Sequence, residues 1–295
     1  MKNKIYLAIF AMLALSCSKE LDNKVNNNDT LVPVTVHVTG FTISQEDFPT
    51  TRAAEDVANY NNVGAVTLAF YDGSTEVYKV TQLKDNSSTY TTFGNFSLNL
   101  PVGSYTMVAI AHTTKAGNPF VLTSPTLAAY TGEHAYDTFV KTQTVEITTT
   151  AASVDIDAVL ERIVSQLQVS STDNKTAGVT NVRMTFSAGS WSFNPTTGLA
   201  TSNTGCASTV GSSGAPGTQT TSRAYLFLTS DEQTMDVTIE TLGETGNVIF
   251  STTVKNVPFK RNRVTVLTGE LYSKVSLSGS FQIETDWLSD YTMSF

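Results

Sequence analysis

Apolar and polar residues alternate along most of this chain, and the alternation is clearest near its start. In LVPVTVHVTGF (31–41), Val32, Val34, Val36 and Val38 fall on one face of an extended strand, because side chains point to opposite faces with a period of two. Polar or small residues occupy the other face. The pattern predicts a β-strand whose valine face is buried.

Six further segments of this kind follow before residue 152, and turn-rich links such as 84–87 and 115–118 separate them. The six predicted strands are AVTLAFYD (65–72), EVYKVTQL (76–83), FGNFSLNL (93–100), SYTMVAIAHT (104–113), FVLTS (120–124) and KTQTVEITTT (141–150). Seven short strands with such links predict one β-sandwich.

A second set of strands predicts a second sandwich, so the chain is expected to be all-β with domains at 31–152 and 153–295. The set comprises SVDIDAVL (153–160), IVSQLQVSS (163–171), VTNVRMTFS (179–187), AYLFLT (224–229), MDVTIETL (235–242), NVIFSTTV (247–254), RVTVLTGELYS (263–273) and KVSLSGSFQIETDW (274–287). Residues 158–168 also fit a helical stripe, and that alternative stays open. The Gly/Ser/Thr-rich segment 196–222 predicts a long exposed loop around Cys206.

The first 30 residues predict export. Lysines at positions 2 and 4 precede a short apolar run and small Ser16, which is typical of a secretory signal peptide and too short for a membrane-spanning helix. The run ends at Cys17 and resembles a bacterial lipobox, so we expect Cys17 to be acylated and to hold the precursor in the outer membrane. Residues 18–30 are polar and Asn-rich, and predict a flexible tether.

Composition narrows the function classes further. The formal net charge is −8 with a sequence pI near 4.9, and no cluster of basic residues occurs, which argues against nucleic acid as a partner. The chain has two cysteines, so acylation of Cys17 would leave Cys206 without a disulfide partner. Cys206 is expected to be an unpaired loop or edge cysteine rather than a reactive thiol, because no His or Lys lies near it in sequence.

No residue pattern points to catalysis, a metal or a cofactor. The three histidines, His37, His112 and His134, lie in separate segments without zinc-ligand spacing, and no nucleophile elbow or phosphate-binding loop occurs. Paired carboxylates and large aromatics could serve a hydrolase or a sugar site, but solvated edges and core packing are their commoner roles. These pairs and aromatics are Asp155 with Asp157, Glu284 with Asp286, Trp191, Trp287, Tyr60 and Tyr291. We expect a non-enzyme.

Several motifs together resemble those of the fimbrillins that build type V pili in Bacteroidetes. They are the lipobox-like start, the valine-alternating first strand, the arginine that follows it, LNLPVGSYTMVAIAH (98–112) and VPFKRNRVTVLTGEL (257–271). The last two segments lie in different predicted domains, so the resemblance spans most of the chain. It implies two transthyretin-like β-sandwich domains of seven to eight strands in tandem.

The resemblance also implies how the precursor matures at the cell surface. An arginine-specific protease would cut between Arg52 and Ala53, the first strand would leave, and a strand from another fimbrial subunit would fill the groove. Arg52 is the first arginine of the chain. Gly40 and Pro49 precede it and the next predicted strand follows it, and this setting favours an accessible loop. The mature protein would then reside in a fimbria, by self-polymerisation or hetero-assembly.

The C-terminal segment offers a candidate donor strand. Val275, Leu277, Phe281 and Ile283 share one face, and Gly279 is the small position between them. Such a strand could fill a vacated groove by β-augmentation. Three alternatives remain at this stage, namely an uncleaved anchor subunit, a surface lipoprotein that binds glycan or a host ligand, and a hydrolase.

Overall fold

The structure, a computed structural model, describes residues 30–42, 57–132, 134–273 and 282–283, and it is almost entirely β. The first nine strands are β1 (Leu31–Thr42), β2 (Ala65–Asp72), β3 (Thr75–Leu83), β4 (Asn95–Pro101), β5 (Gly103–His112), β6 (Phe120–Ser124), β7 (Leu127–Tyr130), β8 (Thr138–Ile147) and β9 (Val154–Arg162). Two short 3-10 turns, Val57–Asn59 and Ser87–Thr89, interrupt the connections.

The later strands of the described chain are shorter on average and include several of two to six residues. They are β10 (Ser165–Ser171), β11 (Val179–Phe186), β12 (Ser192–Asn194), β13 (Leu199–Ala200), β14 (Cys206–Gly211), β15 (Thr221–Leu226), β16 (Glu232–Gly243), β17 (Val248–Lys260), β18 (Val264–Gly269) and β19 (Gln282–Ile283). No helix in the described ranges is long and apolar enough to cross a membrane.

The first sandwich is built from one seven-stranded sheet with the order β3-β2-β5-β8-β9-β1-β4. β8 and β9 share two paired positions, Phe139 with Arg162 and Val140 with Glu161, so the sheet divides there into two layers. Buried residues from both layers form one hydrophobic cluster, which places β3-β2-β5-β8 against β9-β1-β4. The valines of β1 belong to this cluster.

The second sandwich stacks two four-stranded sheets, β15-β10-β18-β19 and β14-β11-β16-β17. Leu167 and Leu267 from the first sheet and Met184 and Ile239 from the second belong to one buried cluster. The predicted all-β fold with tandem β-sandwiches is therefore confirmed.

A small shared sheet joins the two sandwiches. Its order is β13-β12-β7-β6, with β6 and β7 from the first half of the chain and β12 and β13 from the second. It covers the outer face of β2 and β5, where Tyr71 and Ile110 pack in a third cluster with Phe193 and Phe227. The middle of β2 is therefore buried on both faces, which explains its unbroken apolar run.

The third cluster also explains the ambiguous stripe at 158–168. Leu160 lies near the end of β9 in the first core, Ile163 and Val164 lie in the shared cluster, and Leu167 lies in β10 in the second core. The segment therefore belongs to two strands whose side chains contribute to three hydrophobic clusters, and it is not a helix. Because β9 pairs with β1 and β8, the first sheet continues past the boundary expected near residue 152, and the chain passes between sheets at Ile163–Val164.

The prediction of a long exposed loop at 196–222 is wrong. The segment contains β13 and β14, begins β15, and holds Cys206 buried in β14, the edge strand of its sheet. Its remaining turn folds around Lys175, whose ammonium donates to the carbonyl oxygens of Ser212 at 2.9 Å and Gly214 at 3.2 Å. Composition alone missed these strands because Ser, Thr and Gly there pair with distant strands.

Candidate functional site

β1 is an internal strand of the first sandwich although it comes first in the described chain. It pairs antiparallel with β4, from Leu31 opposite Pro101 to His37 opposite Asn95. It pairs in parallel with β9, starting with Val34 opposite Val154, and this register shifts after His37. Backbone groups along both sides of β1 are thus used in the sheet, and so are the facing groups of β4 and β9.

The four valines of β1 lie together, as the alternation predicted, and all are buried. Val36 is fully buried, and the exposed fractions of the other three are 1–2%. They pack in one cluster with apolar side chains of both neighbouring strands and of the facing layer. The residues of that cluster on the neighbouring strands are Phe96, Leu98 and Leu100 of β4 and Ile156, Ala158 and Leu160 of β9. Within residues 31–38, where the side chains of β1 are described, every group on the buried face is aliphatic.

The backbone of Gly94 packs closely against Val38 of β1. The Val38 amide donates to the Gly94 carbonyl at 2.9 Å. Gly94 has a φ of +89°, and a Cβ there would come within 2.6 Å of Val57 Cγ1 and 3.0 Å of the Val38 carbonyl oxygen. The side chain of Gln82 in β3 also accepts from the Gly94 amide, at 2.8 Å. Glycine is required at this position, both for its conformation and for the space it leaves.

The predicted processing residues fall outside the described residues. Cys17, Arg52 and Ala53 all belong to ranges that the structure does not describe. The other five arginines lie in strands or in the turn between β17 and β18, as the sequence pattern indicated; they are Arg162, Arg183, Arg223, Arg261 and Arg263. Arg162, Arg183 and Arg223 lie within strands, whereas Arg261 and Arg263 lie in the turn.

The candidate donor segment is described at two residues. Val275, Leu277 and Phe281 lie outside the described residues, whereas Ile283 lies in β19 and pairs with Leu267 of β18. The chain that leads into the segment is held by Asp173. Its carboxylate accepts from the amides of Leu271, Tyr272 and Ser273 at 2.6–2.8 Å and from the Ser273 hydroxyl at 2.8 Å. Burial opposes ionisation, but these four donors outweigh it and lower the pKa of Asp173.

A partly buried ion pair, which the sequence analysis did not anticipate, secures the end of β9 beside β1. Arg162 donates through Nε to Asp137 Oδ1 at 2.8 Å and through Nη2 to Oδ2 at 3.1 Å, and also donates to the Tyr60 hydroxyl. Its guanidinium carbon lies 4.7 Å from the Phe139 ring centroid. Nη1 lies 3.4 Å from Oδ1 of Asn262, in the turn between β17 and β18. Burial favours the neutral guanidine, but Asp137 and Tyr60 outweigh it and raise the pKa of Arg162.

The histidines and Cys206 occupy structural positions. His37 is hydrogen-bonded to Asn95 and His134 to Ser208, at 3.2 and 2.6 Å. His112 is buried under the Phe120 ring, and burial lowers its pKa to about 4, although a bond to the Thr113 carbonyl acts in the opposite direction. Burial raises the pKa of Cys206 to about 12, which suppresses thiolate chemistry.

The remaining candidate residues do not converge on a ligand site. Tyr60 is buried beside Arg162, and Trp191 packs against the second core and the shared cluster. Asp155 and Asp157 are exposed on β9, opposite Thr35 and His37 of β1. Within the described part of the chain, no group of three or more His, Cys, Asp or Glu side chains is placed to hold a metal ion. Glu284, Asp286, Trp287 and Tyr291 lie outside the described residues.

The chain belongs to a protein family of unknown function, DUF6562, whose family model matches residues 29–294. No curated protein matches the sequence.

Solved structures similar to this chain come from Bacteroidetes. A candidate adhesin from Bacteroides ovatus is 10% identical with a TM-score of 0.53, covering 87% of this chain and 97% of that chain. A candidate adhesin from Bacteroides thetaiotaomicron is 12% identical with a TM-score of 0.48, covering 88% and 97%. The fimbrial anchor protein Mfa2 from Porphyromonas gingivalis is 12% identical with a TM-score of 0.46, covering 86% and 95%. At these identities the similarity shows the fold alone, and the evidence for it is the Bacteroides ovatus structure, whose TM-score is 0.53.

Proposed function

We propose that this chain is a cell-surface fimbrial subunit in which β1 is a provisional strand. The precursor is exported as a lipoprotein acylated on Cys17, an arginine-specific protease cuts after Arg52, and β1 is replaced by a strand from another subunit. The observation that carries the proposal is the internal place of β1. A segment at the start of the exported chain supplies four buried valines and pairs with a strand on each side.

The physical consequence of losing β1 supports the exchange. Removal of β1 would leave backbone donors and acceptors unpaired along β4 and β9, and each buried unpaired group costs about 1–3 kcal/mol. It would also expose the apolar face formed by residues such as Leu98 and Ile156. A groove with two open edges and an apolar floor binds an extended strand through main-chain hydrogen bonds and alternate side chains.

The fold likeness to the Bacteroides ovatus candidate adhesin is compatible with a fimbrial or adhesive role at the cell surface. We prefer a stalk-like subunit over an uncleaved anchor, because the chain carries both the Arg52 site and a C-terminal alternating segment. The reading as a loop-based glycan binder loses support, since the 196–222 segment is folded and Trp191 is packed.

Limited proteolysis tests the strand replacement directly. Low-dose trypsin on the full chain should yield a new N-terminus at Ala53, and after trypsin is inhibited the cut protein should take up a labelled peptide of residues 31–42. The Arg52→Ala variant should remain uncut there and take up no peptide, whereas Arg223→Ala should behave as the parent protein. A cut chain that keeps its first strand and ignores excess peptide contradicts the proposal.

Acylation has its own test. Cells that express the chain should incorporate a labelled fatty acid into the precursor, and the Cys17→Ser variant should lose the label. A labelled Cys17→Ser protein would place the modification elsewhere. Material taken from the cell surface should begin at Ala53 and carry no lipid.

A further inference from the structure

β1 shows which side chains its groove accepts. The four inward sites are each filled by valine, and none is more than 2% exposed. Protein interiors are close-packed, so both an added ring and a missing side chain disturb such a site. At the Val38 site the Gly94 backbone lies close by, since a Cβ at Gly94 would be 3.0 Å from the Val38 carbonyl oxygen and 3.6 Å from Val38 Cβ.

The C-terminal segment of this chain does not match those four sites. Its apolar face reads Val275, Leu277, Gly279, Phe281 and Ile283. Any four consecutive positions on this face include both Gly279 and Phe281, whichever way the strand runs. Registers shifted along residues 274–287 still place Gly279, Phe281 or Trp287 in one of the sites, and the opposite face is polar. A register that avoids them at the N-terminal side would need Leu271 and Ser273, whose amides donate to Asp173. Glycine leaves a valine site empty, and an aromatic ring overfills it.

We propose that the groove is a valine-sized acceptor that takes its strand from a different protein rather than from this chain's own C-terminal segment. The inference rests on the strand replacement proposed above and names its partner. The donor is an extended strand with valine at four alternate positions. The chain is thus a hetero-assembling subunit and not a self-polymerising one.

Charge on the outer face narrows the partner further. Asp155 and Asp157 of β9 are exposed and lie in register with the outward positions of β1, Thr35 and His37. A donor strand with basic or hydroxyl side chains at those outward positions complements the two carboxylates. On the polar face of this chain's C-terminal segment, Lys274 and the serines meet this requirement, whereas Glu284 and Asp286 do not.

Peptide capture by the cut protein tests the size limit. The full chain is cut with low-dose trypsin, trypsin is inhibited, and three labelled peptides are compared by fluorescence anisotropy. The peptides are residues 31–42, residues 274–287, and residues 274–287 with Leu277→Val, Gly279→Val and Phe281→Val. We expect the first and third to bind and the unaltered C-terminal peptide to bind at least about tenfold more weakly.

A matched pair of peptide variants separates size from general strand affinity. In the 31–42 peptide, Val36→Phe adds a ring to an inward position and should weaken binding about tenfold or more, whereas Thr35→Phe adds the same ring outward and should change it little. Equal losses from both would contradict a size limit on the buried face.

The outcomes distinguish this inference from the proposed function. If the 31–42 peptide does not bind, strand replacement itself fails. If it binds and the unaltered C-terminal peptide binds as tightly as its three-valine version, the size limit is wrong and strand replacement survives. In the full chain, the cut parent protein should remain monomeric on gel filtration, and the three-valine variant should form multimers. Multimers of the cut parent that require residues 274–295 would overturn hetero-assembly.

Discussion

β1 and β10 occupy corresponding places in the two sandwiches, yet they are held in different ways. Each comes first in its sandwich, and each lies between an antiparallel and a parallel neighbour. The neighbours are β4 and β9 for β1, and β15 and β18 for β10. The topology thus repeats, so differences between the two strands come from their side chains and connections.

Side-chain hydrogen bonds fix both ends of β10. Its inward residues are Ser165, Leu167, Val169 and Ser171, all at most 5% exposed. The Ser171 hydroxyl accepts from the Thr220 amide at 2.7 Å and donates to the Thr220 carbonyl at 3.3 Å. The Ser165 hydroxyl donates to the Arg263 carbonyl at 3.4 Å.

The described inward side chains of β1, Val32 to Val38, make no comparable polar contact. Its four valines contribute shape and apolar area, and its register depends on alternation. A strand fixed only by alternation can be replaced by another strand with the same alternation. A strand with polar groups at both ends is specific to its site. The comparison therefore supports β1, and not β10, as the exchangeable strand.

The largest expected effect comes from a charge on either buried face. Val36→Asp in β1 and Val169→Asp in β10 should each destabilise the protein by about 5 kcal/mol or more, because a carboxylate would be buried without a partner. Urea unfolding measures the loss. Leu31→Asp, at an exposed position of β1, is the control and should cost far less.

Rescue in trans separates the two strands. After the cut at Arg52, added peptide 31–42 should restore stability to Val36→Asp, because the damaged strand can be replaced. No β10 peptide should rescue Val169→Asp, since that strand stays covalently joined at both ends. Rescue of both variants, or of neither, would remove the distinction between β1 and β10.

The next largest effect comes from the ion pair of Arg162 with Asp137, which holds the end of β9 beside the groove. Arg162→Met should cost about 3 kcal/mol or more, because Asp137, whose side chain is 4% exposed, would lose its partner inside the protein. Arg183→Met, which breaks a more exposed pair with Glu240, should cost about 1 kcal/mol or less. Urea unfolding compares the two. The cut Arg162→Met protein should also bind peptide 31–42 more weakly, since the end of β9 is no longer held.

Acid should affect the first sandwich before the second. The folded-state pKa of His112 in β5 is lowered to about 4, against an ordinary value of 6.5. Between these values the unfolded chain binds a proton that the folded chain does not, so stability falls as the pH falls from about 6.5 to 4. The slope from this one group is at most about 1.4 kcal/mol per pH unit.

The control for the acid effect is His112→Gln, which should flatten the stability profile between pH 6.5 and 4. Asp173 has a lowered pKa, so its contribution is fully present above its ordinary value of 3.8 and is lost only below it. Hydrogen exchange in the upper window should increase in β2 and β5 more than in β10. An unchanged pH profile in the glutamine variant would contradict the role of His112.

The sequence predicted the elements that depend on neighbouring residues. It did not predict those that depend on pairing between distant segments. The alternation in 31–41 predicted β1 and its buried valines, because that pattern depends on residues two apart. The strands β7, β12 and β13 escaped prediction because they have two to four residues, and because β7 pairs with β12 more than 60 residues away. Nothing in a Thr- and Ser-rich segment marks such pairing.

The same limit explains the polar contacts. Arg162 and Asp137 are 25 positions apart, and Asp173 contacts residues about 100 positions away. The arginine that follows the apolar residues of β9 indicated that a carboxylate should lie near its side chain. No sequence pattern identified Asp137 as that carboxylate. The roles expected for Cys17, Arg52 and the C-terminal segment remain predictions for experiment.

The smallest effect tests the polar end of β10. Ser171→Ala should destabilise the protein by about 1–2 kcal/mol, because the buried Thr220 amide loses its acceptor. Ser170→Ala, one position away on the half-buried outer face, should change stability by about 0.5 kcal/mol or less. Urea unfolding resolves the difference, and hydrogen exchange should show faster opening at Thr220 in Ser171→Ala alone. Equal effects of the two substitutions would mean that β10, like β1, is held by alternation and burial, and the contrast between a permanent and a replaceable strand would then depend on chain connectivity.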